Sequence, residues 1–109
     1  MPSAPRMTKA TQLVLRALLA DPEEELYGSE IAEAAGLMSG TVHPILARLE
    51  GAGWVESRWE DVDPQVAGRP ARRYYRLTGE GVRHATAELA RALRPQPGRL
   101  APRPEPGLP

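Results

Sequence analysis

Between Ser39 and Arg48 the chain sets out two hydroxyls (Ser39 and Thr41, with Gly40 between them), one imidazole, His43, and one guanidinium, Arg48. Between Arg69 and Arg76 it places four arginines and no acid. These groups share one competence, which is to donate hydrogen bonds to phosphate oxygens and to base edges. The company that other chemistries need is missing. His43 and His84 fall on different predicted helices, and the sequence suggests no carboxylate partner for either. There is no Ser-His-Asp order, no phosphate-binding glycine loop and no metal-ligand spacing. Cysteine is absent, which removes disulfides, thiolate metal sites and cysteine nucleophiles. An enzyme, a cofactor and a resident metal are not expected.

The first cluster lies on a stretch with helical spacing, SGTVHPILARLEGAG, residues 39–53. Val42, Ile45, Leu46 and Leu49 fall at i, i+3, i+4 and i+7, one face of an α-helix. Ser39 is the expected N-cap. Pro44 sits near the first turn, where few N–H groups have helical partners, and its ring crowds the carbonyl of Gly40. The other face, with Thr41, His43, Ala47, Arg48 and Glu50, is left to point outward.

The remaining elements follow in order. Residues 1–6 carry two prolines and read as a loose terminus. Thr8 caps a first helix running to about Ala20, with Leu13, Val14, Ala17 and Leu18, joined by Ala10, turned inward. A second helix spans Gly28 to Ala35, with Leu26, Ile31, Ala34 and Ala35 inward and Gly36 closing it. Two short helices joined by a tight Gly-containing turn make a helix-turn-helix. WVESRWE (Trp54 to Glu60) and RRYYRL (Arg72 to Leu77) both alternate and read as strands, with the turn-rich 61–70 between them. Tyr75 shares a face with Leu77 and is the expected core tyrosine. A helix-turn-helix followed by a basic hairpin is a winged helix. Thr78 then caps a terminal helix to about Arg94, whose stripe Val82, Ala85, Leu89 and Leu93 suits an isologous dimer. The alternative is packing on the first helix of its own chain, and both can occur together. Residues 95–109, with six prolines and two glycines, are expected to be disordered.

The fold class is therefore mainly α with a small β-hairpin: a winged helix-turn-helix over 7–77 and a C-terminal dimerisation helix over 78–94. The 109 residues suffice for one domain. Phe is absent, so the core must rest on Leu, Val, Ile and Ala. A formal net charge of zero hides two opposed fields, six acids between Asp21 and Glu33 and the four arginines of 69–76. No apolar run approaches the roughly 20 residues of a membrane span and no signal-peptide core is present, so a soluble, cytoplasmic protein is expected.

Three segments, LYGSEIAEAAGL (26–37), SGTVHPILARLEGAGWVESRWE (39–60) and GRPARRYYRLTGEG (68–81), together resemble the PadR family of bacterial transcription regulators. The sequence departs from the family pattern at His43, where many members have Tyr, in a short link between the second and third helices, and in a short terminal helix. The resemblance implies a dimeric, nucleoid-associated repressor of its own or a neighbouring operon, bound to a double-stranded, palindromic operator. It makes Ser39, Gly40, Thr41, His43 and Arg48 the recognition-helix contacts and Arg69, Arg72 and Arg73 the wing contacts. Tyr27 matches the family's Tyr-Gly pair at the start of the second helix and is expected as a packing residue that also contacts DNA there, near phosphate. Arg76 is left to pair with the acids of 21–33. Trp54 and Trp59 are candidates for a small-molecule effector pocket, with core and interface packing as the alternative. A protein-interaction module lacking sequence-specific DNA binding is the second reading, favoured by zero net charge and a weakly basic recognition helix.

Overall fold

The apolar spacing of residues 42–49 becomes the centre of the core. A computed structural model describes residues 4–93, so the expectations for the first three residues and for 94–109 lie outside the described residues. Val42, Ile45, Leu46 and Leu49 are all buried on helix α3, Ser39–Gly51. Pro44 is accommodated early in that helix, where the N–H groups of Thr41 and Val42 both donate to the Met38 carbonyl. One expectation is corrected at the entrance. Met38 holds the N-cap position with extended backbone and no side-chain cap bond, and Ser39 is already helical.

Helix α1, Lys9–Leu19, starts at Thr8, whose Oγ accepts the Thr11 N–H at 3.1 Å. Its buried residues are Thr11, Val14, Leu15 and Leu18. Leu15, missing from the expected stripe, is fully buried, whereas Leu13 and Ala17 are half-buried. The reason is tertiary: α1 touches α2, α3, β3 and α5, so it is covered on more than one side. Helix α2, Gly28–Ala35, buries Ile31, Ala32 and Ala35, and it is Ala32 rather than Ala34 that faces inward. Gly36 closes it at φ 71°, and the Leu37 N–H reaches back to the Ala32 carbonyl at 2.9 Å.

The sheet has three strands, not two. Leu26–Tyr27 forms β1, Val55–Trp59 forms β2 and Arg73–Leu77 forms β3, antiparallel in the order β1-β3-β2. Leu26, expected to pack with the second helix, pairs with Tyr75 in the sheet. Alternation holds on both long strands: Val55, Tyr75 and Leu77 are buried, while Glu56, Arg58 and Arg76 turn away from the core. The connection between β2 and β3 is also corrected. It contains a helical turn, α4 at Pro64–Ala67, capped by Asp63, whose carboxylate accepts the Gln65 N–H at 2.9 Å.

Helix α5, Gly79–Leu93, begins where expected: the Thr78 hydroxyl accepts the Gly81 N–H at 2.9 Å and donates to the Gly53 carbonyl at 2.8 Å. Gly81 lies so close to the strand entrance that a Cβ there would overlap the Trp54 carbonyl. The helix packs on α1 and β3 of its own chain.

Candidate nucleic-acid interface

Helix α3 is held by its apolar face, which leaves Ser39, Gly40, Thr41, His43, Pro44, Ala47 and Arg48 exposed together. His43 is positioned from beneath by Gly28, the buried first residue of α2: a Cβ built on Gly28 would come within 2.8 Å of the imidazole Cε1. The N-terminus of α2 is organised by Glu30, whose Oε1 accepts the Tyr27 N–H at 3.1 Å. The two helices thus meet through His43 and Gly28, beside Tyr27.

The wing arginines are not equivalent. Arg69 donates to both carboxylate oxygens of Glu60, at 2.6 and 3.0 Å, and Glu60 also accepts the Arg72 N–H at 3.2 Å. The Arg69 hydrogen bond, with the Arg72 amide assisting against partial desolvation, holds the Glu60 carboxyl down at about 2. Arg73 donates through Nε to the Ser57 hydroxyl at 3.0 Å; that hydroxyl donates to Glu50 at 2.6 Å, and the Arg73 guanidinium stands 3.6 Å from the same carboxylate. Glu50 lies near the C-terminus of α3, so this relay ties the wing to that helix. Arg72 lies over the Tyr27 ring at 4.3 Å. Among the described residues it has no carboxylate partner, and neither has Arg48.

Two ion pairs cross the outer face of the sheet. Arg76, expected to reach the acids of 21–33, pairs instead with Glu56 on the neighbouring strand at 2.8 Å. The acidic stretch is met by Arg58, which bonds both oxygens of Glu25 at 2.7 and 2.8 Å and lies over Tyr74 at 5.0 Å. These bonds lower the Glu25 carboxyl and raise the Arg58 guanidinium. Sequence reasoning passed over Arg58, whose partner is 33 residues away. It also passed over Glu80, one helical turn before His84, whose carboxylate stands 3.3 Å from the imidazole. The i, i+4 spacing is the signal that could have found that pair.

Trp54 and Trp59 occupy opposite settings. Trp54 is 5% exposed and stacks on His84 with ring centroids 5.2 Å apart, whereas Trp59 is 60% exposed with Arg73 over its ring at 5.1 Å. A groove of about 570 Å³ between Pro22, Glu23, Arg76, Leu77 and Val82 includes neither tryptophan. On α5, Ala85 is fully buried by its own chain, Val82 and Leu89 are half-buried against the core, and Leu93 is 72% exposed.

With this geometry in view, the sequence matches the transcriptional regulator PadR-like family over residues 15–87, from the middle of α1 into α5. The chain belongs to that family. A PadR family transcription regulator from hypervirulent Clostridium difficile R20291 is 26% identical, with a TM-score of 0.61 over 77% of this chain and 86% of its own. The Staphylococcus aureus MepR–DNA complex aligns at 23% identity and TM-score 0.60, covering 76% of this chain and 62% of MepR. A possible transcriptional regulator from Methanosarcina mazei Go1 aligns at 16% and 0.59, covering 79% and 69% of the two chains. The last two share the fold with this PadR-like chain. Among curated proteins none matches it. The winged-helix architecture, mainly helical with a small antiparallel sheet, is common to these regulators.

Proposed function

We propose that this PadR-like regulator binds double-stranded DNA sequence-specifically, as a dimer, and represses its own or a neighbouring operon. The observation that carries the reading is the exposed N-terminal half of α3 standing on the same molecule as a wing whose Arg72 is uncommitted to any described carboxylate. Ser39, Thr41 and His43 are offered to base edges or phosphates, Arg48 and Arg72 to phosphates, and Arg73 to the backbone once it leaves Glu50. Tyr27, under Arg72, supports that side chain near the start of α2. Leu89 and Leu93 extend the apolar face of α5 toward a second copy.

Binding to the DNA upstream of the coding sequence, measured at several salt concentrations, tests this directly. A protected inverted repeat with affinity falling linearly on a log–log salt plot is expected. Equal affinity for every sequence would overturn it. A second reading, a protein-docking winged helix, draws on one observation: Arg58, Arg69 and Arg76 are each held by a carboxylate of the same chain. Capture of a protein partner without nucleic acid, together with no gel shift, is its signature.

A further inference from the structure

The exposed start of α3 carries the polar Ser39, Thr41 and His43, and beside them stands one large apolar side chain. Met38 is 77% exposed at the N-cap position. Gly40, Thr41, Pro44 and Ala47 are also exposed on α3, and Arg48, the only cation of the helix, lies in its last turn. N-caps favour Ser, Thr, Asp and Asn, and Met38 makes no cap bond. Nor does the free fold fill the space over Gly40, where a Cβ would meet nothing within 4 Å, so a partner can approach the backbone closely.

We propose that Met38 is a specificity-determining residue that packs on the 5-methyl group of thymine in the major groove. At least one base pair under the start of α3 is then A·T. The inference rests on the DNA-binding reading above and adds the chemistry of what is read. Among major-groove base edges only thymine offers an apolar group for the exposed Met38 side chain to cover. The unbranched thioether of methionine adapts to such a small target, and Pro44 with the Thr41 methyl supplies a second apolar wall.

The test uses the full chain and a random-sequence duplex pool. After selection of bound duplexes, each thymine is replaced singly by deoxyuridine, which removes only the methyl group. Removing a buried methyl should weaken wild-type binding about fourfold at one or two positions in each half-site. Met38→Ala should weaken binding to the thymine duplex to a similar degree and bind the thymine and deoxyuridine forms alike, whereas Met38→Leu should keep the discrimination. Because the side chain is exposed, circular dichroism of Met38→Ala should match wild type. Uniform tolerance of deoxyuridine, or full methyl discrimination by Met38→Ala, overturns the inference while an enriched sequence keeps the DNA reading standing. A pool with no enriched sequence overturns that reading and the inference together.

Discussion

His43 shows how a single side chain can be placed by what is missing beneath it. The ring rests against the Cα of Gly28, and a methyl group there would meet it at 2.8 Å. Gly28→Ala should therefore turn the exposed His43 ring off α2 at little cost to stability, because the atom it meets is the far end of a side chain free to rotate. The turn should shift the His43 Cε1–H proton resonance while stability stays within about 0.5 kcal/mol of wild type in chemical denaturation. An unmoved resonance would mean that the two residues do not touch. On the wing, Arg72→Ala should weaken binding to all duplexes alike, since its expected contact is phosphate. Thr41→Ala should instead narrow the gap between preferred and random sequence, the mark of a base contact. Competition titrations with specific and random duplexes separate the two outcomes. The exposure of Ser39, Gly40, Thr41, His43 and Arg48 follows from the four apolar residues that turn the opposite side of α3 into the core, and this much was legible in the spacing alone. The capping role assigned to Ser39 was not, because one residue of shift at a helix start leaves the apolar period unchanged.

At the scale of elements, two joints carry the architecture: Thr78–Gly81 fixes α5 to the strand entrance, and Glu60–Arg69 fixes the base of the wing. Thr78→Ala removes a cap and a bond to Gly53, and should cost about 1 kcal/mol in chemical denaturation. The wing joint has a pH signature. The Glu60 carboxyl is depressed to about 2 in the folded protein, from an ordinary value of 4.5. A depressed acid contributes its full stabilisation above its unfolded value and loses it as pH falls through the folded one. The stability difference between wild type and Glu60→Gln should thus be constant above about pH 5, shrink below pH 4.5 and vanish near pH 2. A difference that persists unchanged at pH 2 would refute the joint. The strands of the wing were readable because alternation over five or more residues is a pattern. Strand β1 was not, since two residues have no period and Leu26–Tyr27 becomes a strand only because β3 offers it an edge. The helical turn at Pro64–Ala67 escaped for a similar reason, being shorter than the window in which helical periodicity shows.

For the whole molecule, the distribution of partnered charge matters more than the net charge of zero. Sequence alone suggests a basic wing and an acidic stretch before and in the second helix as opposed fields; folding instead pairs members of each with charges from outside both, Glu25 with Arg58, Arg69 with Glu60 and Arg76 with Glu56. Such pairs join residues 9 to 33 positions apart and need the sheet register to be predicted at all. With Arg48, Arg72 and Arg73 left to meet phosphates in each of two proposed protomers, the salt slope of log affinity should be no steeper than about −5. A much steeper slope would mean that the internal pairs open on DNA. The two tryptophans offer a way to watch either event. One is sealed between β2 and α5 against His84, the other stands open at the far end of the same strand under Arg73. An aqueous collisional quencher such as iodide should extinguish the emission of Trp59 and spare that of Trp54. The chain thus carries its own pair of optical reporters, one following the wing and the other the seat of the terminal helix, with no label attached.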